Sequence, residues 1–238
     1  MKINIVSRDK RYYYLNELLK MDGYDTKICD INELESPEII ILSVRKEHTD
    51  SELEEIFSRA SESTLILTPN SIENPSCIVL DYTKNEAFLK KNAYLTAEGT
   101  ICLYYNEIKE TLQGKSVLVL GYGRIGKYLS KMLKNQGAIV LVYARRKEIK
   151  AEIELDGFTS IELDKIPANI DTIFNTVPEE IFKNETNAHK IELASKSGFK
   201  YKENVINGAG LPGKMFPKTA AKYIYDEIKT ILTIQERT

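Results

Sequence analysis

The chain has 238 residues, 29% of them charged and 42% hydrophobic, and a formal net charge of −2. This near-neutral balance gives no sign of a nucleic-acid-binding protein. No run approaches the roughly 20 apolar residues of a membrane span, and the first residues lack the apolar segment of a signal peptide. We therefore expect a cytoplasmic protein that binds neither nucleic acid nor membrane, folded as one large domain or two modest ones.

Cysteine and histidine, the usual zinc ligands, are few in this sequence. Cys29, Cys77 and Cys102 are far apart and set among apolar residues, which favours core positions over a disulfide framework or a metal cluster. The two histidines, His48 and His189, have no other ligand type at metal spacing and are typical of surface positions. We expect no metal site.

The N-terminal part alternates short apolar runs with segments of helical periodicity. Helices are predicted at 11–21 and 51–59, and strands are predicted at 3–7, 25–29, 39–44, 64–68 and 77–80. Such alternation is typical of an open parallel sheet, here a small flavodoxin-like α/β domain. Helices are also predicted within 85–112, before a domain junction at Gly114.

Residues 117–126 read VLVLGYGRIG, an apolar strand that runs into a glycine turn. Gly121, Gly123 and Gly126 have the G-x-G-x-x-G spacing, and 127–135 continue at helical period. The first glycine permits the turn, the second lets backbone approach a pyrophosphate, and the third packs helix on strand. The phosphates then lie at a helix N-terminus, which favours anions. A tight turn without ligand is the alternative, but this context favours a Rossmann dinucleotide-binding domain.

The second strand of this domain, 139–143, ends in VYARR. An NAD-binding domain usually has Asp or Glu here, which accepts hydrogen bonds from the ribose hydroxyls. Ala144 takes the place of that acid, while Arg145 and Arg146 can bind a 2′-phosphate with their planar donor groups. The arginines could instead be solvated, with Glu148 neutralising one of them. Because the missing acid and the added cations act in the same direction, we predict NADP rather than NAD as the cofactor.

Later strands are predicted at 172–176, 190–193 and 205–207. The final stretch, 219–232, has apolar residues near helical period, so we expect it to pack on an apolar surface. We therefore divide the chain into an N-terminal α/β domain at 1–92, completed by a C-terminal helix at 216–238, and a Rossmann domain at 93–215.

Several motifs together resemble the A-subunit family of dipicolinate synthase: NAYLTAEGTI at 92–101, VLVLGYGRIGKYL at 117–129, FNTVPEEIF at 174–182, ELASKSG at 192–198 and GLPGKMFPKTA at 210–220. The segment SRDKRYYYL at 7–15 is similar to the opening of that family. The resemblance implies an architecture related to the D-2-hydroxyacid dehydrogenases. It also implies work with a flavoprotein-like second subunit during sporulation, in which dihydrodipicolinate is oxidised to dipicolinate. We further expect a homo-oligomer.

The resemblance also suggests residues for a small dicarboxylate substrate. Lys196 follows a strand, and Lys214 and Lys218 lie in a loop rich in glycine and proline; each could pair with a substrate carboxylate or be solvated. Thr96 and Glu98 are expected at the start of a helix, where Glu98 could act as a base or cap that helix. We take Glu98 and Lys196 as catalytic candidates and Lys214, Lys218 and Thr96 as substrate-binding candidates.

In dehydrogenases of the resembled type, backbone at the end of the fourth strand passes the nicotinamide ribose. The glycine turn, the VYARR strand end and the resemblance together give the candidate cofactor-binding residues Gly121, Gly123, Arg124, Ile125, Gly126, Ala144, Arg145, Arg146, Thr176, Val177 and Pro178. Two other functions stay open. A D-2-hydroxyacid dehydrogenase should have a catalytic histidine near its C-terminus, which this sequence lacks, and a non-catalytic nucleotide-binding partner subunit would do no chemistry.

Overall fold

The computed structural model describes residues 1–45, 47–69 and 76–235. The first half of the chain contains β1 (Lys2–Val6), α1 (Lys10–Met21), β2 (Asp25–Ile28), β3 (Ile39–Leu42), α2 (Asp50–Ser58), β4 (Leu65–Leu67), β5 (Ile78–Leu80) and α3 (Glu86–Glu107). The second half contains β6 (Ser116–Leu120), α4 (Arg124–Asn135), β7 (Ile139–Tyr143), α5 (Lys147–Leu155), β8 (Thr159–Ser160), β9 (Thr172–Asn175), β10 (His189–Glu192), β11 (Val205–Asn207), α6 (Leu211–Met215) and α7 (Pro217–Gln235).

The chain forms two compact units. Unit 1 comprises Met1–Asn92 and Pro212–Thr238, and unit 2 comprises Ala93–Leu211. Each unit contains one sheet, and every strand pairing in the described residues is parallel. Parallel strands joined by helices confirm the predicted α/β fold class.

Unit 1 has the strand order β2-β1-β3-β4-β5, which is the flavodoxin order. Strand β3 is buried along its whole length because helices cover both faces of the sheet. On one face, α1 and α7 pack together and against the sheet, and the buried side chains of α7 include Ile224, Ile228 and Leu232. On the other face, Ile56 of α2 packs against the strands. The C-terminal helix therefore completes the core of the first unit.

Unit 2 has the strand order β11-β10-β9-β6-β7-β8. Numbered within the unit, this is 6-5-4-1-2-3, the Rossmann order. Strand β6 lies between β7 and β9, and Leu120 is aligned with Tyr143 on one side and with Asn175 on the other. The carboxyl ends of three neighbouring strands therefore meet at one edge, where ligands bind in such sheets.

Three details of the predicted organisation are wrong. One long helix, α3, replaces the separate helices predicted within 85–112. Thr96 and Glu98 lie inside this helix rather than at its start, so Glu98 does not cap it. Lys214 and Lys218 lie on α6 and α7 instead of in a loop. None of the described helices is both long and apolar enough to cross a membrane.

Candidate functional site

The turn between β6 and α4 requires glycine at two of its three glycine positions. Gly121 has a φ of 96°, in the left-handed region, and a Cβ there would lie 2.5 Å from Thr176 Oγ1 and 2.7 Å from Val177 Cγ2. A Cβ on Gly126 would lie 2.2 Å from the Gly121 carbonyl oxygen. The turn therefore lies directly against the end of β9, and α4 lies directly against the turn.

Gly123 differs from the other two glycines because no described atom crowds it. It is the N-cap residue of α4 and makes no side-chain capping hydrogen bond, and a Cβ there would meet no atom of the described residues within 4 Å. The described part of the chain therefore does not require glycine at this position. A small, uncapped N-cap leaves room for an outside group to approach the backbone at a helix N-terminus, where anions are favoured.

A cavity of about 300 Å³ opens beside this turn. Eight of the eleven predicted cofactor residues line it: Gly121, Gly123, Ala144, Arg145, Arg146, Thr176, Val177 and Pro178. The other three, Arg124, Ile125 and Gly126, form the first turn of α4. The fold thus brings three separate segments of sequence together at the carboxyl ends of β6, β7 and β9.

The segment after β7 carries no carboxylate at the position of the usual acid. Ala144 is buried there, and Arg145 and Arg146 are exposed. Arg145 pairs with Glu179, with Nη1 2.8 Å from the Glu179 carboxylate. The neutralising partner considered from the sequence, Glu148, is therefore not the one that Arg145 uses in the structure.

Tyr122, between the first two glycines, anchors the turn to the end of α5. Its side chain is buried, and its hydroxyl donates to Asp156 at 2.6 Å. Burial, together with the neighbouring Asp156 carboxylate, raises the pKa of Tyr122 far above its ordinary value. The same hydrogen bond lowers the pKa of Asp156. Tyr122 therefore stays a neutral donor and Asp156 a charged acceptor across the neutral pH range.

A second network holds the ends of β9 and β10. The buried Asn175 amide donates to the Val177 carbonyl at 2.8 Å and to Glu192 at 2.7 Å, and its oxygen accepts from the Val177 N–H at 3.1 Å. Glu192 also accepts two backbone N–H bonds from the turn that follows β10, including one from Gly198 at 2.8 Å. The network fixes the backbone of Val177 and the turn that carries Lys196.

The remaining candidate residues lie outside this cavity. Lys196 is exposed in the turn after β10, and Thr96 is buried and Glu98 half-buried within α3. Lys214 and Lys218 are exposed in unit 1, with Lys218 Nζ 5.5 Å from the centre of the Tyr14 ring. Among the described residues that line the cavity, none belongs to this group of five.

Sequence reasoning missed Tyr122, Asn175, Glu179 and Glu192. Their residue types gave a weak signal, since Tyr122 lies inside the glycine turn and the other three lie inside the quoted motifs FNTVPEEIF and ELASKSG. Their contacts depend on which strands are neighbours, which the motifs do not specify.

Solved structures share this fold, among them the following three. The crystal structure of the dipicolinate synthase A-subunit from Bacillus halodurans has a TM-score of 0.79 and 22% sequence identity, over 97% of each chain. The dipicolinate synthase A chain from Bacillus subtilis has a TM-score of 0.76 and 22% identity, over 100% of this chain and 98% of that one. The apo-structure of D-lactate dehydrogenase from Escherichia coli has a TM-score of 0.61 and 14% identity, over 99% and 97%. These likenesses show a common fold.

The family model for the D-isomer specific 2-hydroxyacid dehydrogenase, NAD binding domain, matches residues 80–209. This range includes the glycine turn, the segment after β7 and the ends of β9 and β10, so the match supports a nicotinamide dinucleotide as the cofactor of this domain. Because it spans more than half of the sequence, the chain belongs to the D-isomer specific 2-hydroxyacid dehydrogenase family.

Proposed function

We propose that this protein is an NADP-linked oxidoreductase subunit that oxidises dihydrodipicolinate to dipicolinate with a flavoprotein-like second subunit. In this proposal it acts in the cytoplasm of sporulating cells as a homo-oligomer. The observation that carries it is the cavity beside the β6–α4 turn, which combines an open helix N-terminus with two exposed arginines and a buried alanine in place of the usual acid. The fold shared with two dipicolinate synthase A chains supports the choice of substrate.

The residues present fit a nicotinamide dinucleotide. The open space at Gly123 suits a pyrophosphate at the N-terminus of α4, and a cavity of about 300 Å³ suits the adenosine half of the cofactor. The backbone of Val177, fixed by Asn175, and that of Pro178 would lie along the nicotinamide ribose. When bound, the nicotinamide ring supplies the hydride acceptor for the oxidation.

The preference for NADP rests on the segment after β7. Ala144 offers no carboxylate to repel a 2′-phosphate, and the Arg145 and Arg146 guanidinium groups are exposed beside the cavity. Arg145→Ala should weaken NADP binding by about 1.5 kcal/mol or more and leave NAD binding nearly unchanged, because one charge-assisted contact is lost. Lys147→Ala removes a neighbouring exposed cation that does not line the cavity and should leave both affinities unchanged. Equal affinity of the wild type for the two cofactors would contradict the preference.

The substrate half of the proposal concerns a dicarboxylate. We assign Lys214, Lys218 and Thr96 to substrate binding and Glu98 and Lys196 to catalysis, with lysines as anchors for carboxylates and Glu98 as the proton acceptor. Lys214→Ala or Lys218→Ala should weaken dicarboxylate binding by about 1.5–3 kcal/mol without weakening NADP binding. Lys200→Ala, at another exposed lysine, should change neither affinity. If neither Lys214 nor Lys218 matters, the anchors lie elsewhere.

Family membership keeps a second function in view, that of a D-2-hydroxyacid dehydrogenase. Purified protein mixed with NADP and either dihydrodipicolinate or a set of D-2-hydroxyacids separates the two, because reduction of the cofactor is followed at the nicotinamide absorbance band. The same assay is run with and without the flavoprotein-like subunit. Cofactor binding with no reduction in any mixture would instead favour a non-catalytic partner subunit.

A further inference from the structure

The ion pair between Arg145 and Glu179 joins two loops of unit 2 that are far apart in sequence. Arg145 follows β7 and Glu179 follows β9, and β6 lies between these strands in the sheet. The pair therefore spans the carboxyl end of β6, the point from which the glycine turn leaves. Ala144, which precedes Arg145 in the sequence, and Pro178, which precedes Glu179, both line the cavity beside that turn.

Both partners of this ion pair are more than half exposed. The side chain of Arg145 is 61% exposed and that of Glu179 is 55% exposed. An exposed pair of this kind contributes about 0–1 kcal/mol, so a stronger anion can displace the carboxylate. A phosphate monoester carries more negative charge than a carboxylate and more acceptor oxygens, and it binds a guanidinium group in the same two-point geometry.

We infer that Glu179 is a specificity-determining residue, because its carboxylate occupies the guanidinium group that would bind the 2′-phosphate of NADP. NADP must then displace Glu179 from Arg145, whereas NAD, which has no 2′-phosphate, gains nothing from doing so. Glu179 thus reduces the preference for NADP that Arg145 creates. This inference rests on the proposed role of Arg145 in NADP binding.

The test is a set of NADP and NAD titrations at low ionic strength, where exposed charges are least screened. Glu179→Gln keeps the size of the side chain and removes its charge. It should tighten NADP binding about two- to fivefold and change NAD binding less than about twofold, as expected for release of an exposed ion pair. Glu180→Gln is the matched control, because Glu180 is the next residue, is exposed, and forms no ion pair within the described part of the chain. It should change neither affinity.

The same substitution made in Arg145→Ala protein tests the role of Glu179 separately from the proposed role of Arg145. In Arg145→Ala protein, Glu179→Gln should lose most of its effect on NADP, since there is no guanidinium group left to release. If Arg145→Ala weakens NADP binding but Glu179→Gln leaves it unchanged, the inference on Glu179 is wrong and the role of Arg145 stands. If Arg145→Ala leaves NADP binding unchanged, both are wrong. Weaker NAD binding in Glu179→Gln would show instead that Glu179 binds the cofactor ribose.

Discussion

Both units have a strand–turn–helix element at the point where the strand order of the sheet reverses. The two elements differ in the residue that caps the N-terminus of the helix. In unit 1 the N-cap of α1 is Asp9, whose carboxylate accepts the Arg11 N–H at 2.9 Å and binds the Arg11 guanidinium group at 2.9 and 2.6 Å. In unit 2 the N-cap of α4 is Gly123, which offers no side chain. The N-cap of α1 therefore supplies an anion of the protein itself to its helix N-terminus, whereas the N-cap of α4 supplies none.

The cavities beside the two turns also differ, in volume and in the charge of the residues that line them. The one in unit 1 is larger, about 490 Å³ against about 300 Å³, and its lining includes Asp30, Glu33 and Glu47. Glu47 already accepts hydrogen bonds from the Ser7 hydroxyl at 2.9 Å and from the Arg8 N–H at 3.1 Å. Carboxylates at these positions disfavour a phosphate. The cavity in unit 2, although smaller, is therefore the one that we propose as the anion site.

The largest expected effect comes from breaking the internal anion pair of unit 1. The side chains of Arg11 and Asp9 are 5% and 6% exposed, so Arg11→Met would leave the Asp9 carboxylate buried without its partner. We expect the free energy of unfolding to fall by about 3–5 kcal/mol. Lys10→Met, at the exposed first residue of the same helix, should change it little. Denaturant unfolding measures the free energy of unfolding of both variants. Equal decreases in the two would contradict a specific contribution of the Arg11–Asp9 pair to stability.

The next effect comes from giving unit 2 the N-cap of unit 1. Gly123→Asp fits the open space and the extended backbone at that position, and Asp is a favourable N-cap, so stability should not fall. Its carboxylate would repel the pyrophosphate, and NADP binding should weaken about a hundredfold, or roughly 2.7 kcal/mol. Gly123→Asn caps the helix without the charge and should weaken binding less. Unchanged affinity in Gly123→Asp would place the pyrophosphate elsewhere.

A smaller effect is expected where the glycine turn meets α4. A methyl group on Gly126 would lie 2.2 Å from a backbone oxygen, so Gly126→Ala forces the helix away from the turn and should destabilise the fold by about 1–3 kcal/mol. Gly123→Ala, which would meet no atom of the described residues within 4 Å, should be tolerated far better. Thermal unfolding of the two variants compares them directly. Similar losses in both would contradict the close packing at Gly126.

The smallest effect is a dependence on pH. Burial alone raises the pKa of Asp9, but the hydrogen bonds and charge of Arg11 outweigh burial and leave that pKa below its ordinary value. Such a group stabilises the fold above its unfolded pKa of about 3.9, and this contribution is lost as the pH falls through the folded pKa. The difference in unfolding free energy between wild type and Asp9→Asn should therefore narrow below about pH 4. A difference that is constant with pH would contradict this.

Much of the fold could be predicted because apolar runs and helical period alternate so regularly. One error arose where glycine and proline suggested a loop around Lys214 and Lys218. Pro217 begins α7, a position at which a missing N–H has no consequence, so the stretch around Lys218 is helical despite its composition. Gly99 is buried inside α3, so the packing of a long helix outweighs the low helix propensity of one glycine. Local propensity was therefore overruled at Gly99, whereas at Pro217 it agrees with the start of a helix.

The parts of the candidate site that could be predicted are those in which one short segment of sequence contains the whole motif. The residue types of the glycine turn and of the VYARR strand end indicate cofactor binding without knowledge of the fold. The structure places both beside one cavity. The pairs Arg145–Glu179 and Asn175–Glu192 join segments that meet only because β6, β9 and β10 are neighbours. Nothing in the residue types of Glu179 or Glu192 identifies the partner, so strand order had to be known first.

We propose that the turn between β6 and α4 binds one dinucleotide and prefers NADP. Calorimetric titration of the wild-type protein with NADP, and separately with NAD, tests this most directly because it gives stoichiometry and affinity together. We expect one NADP to bind per chain, more tightly than NAD. No saturable binding, two sites per chain, or tighter binding of NAD would contradict it.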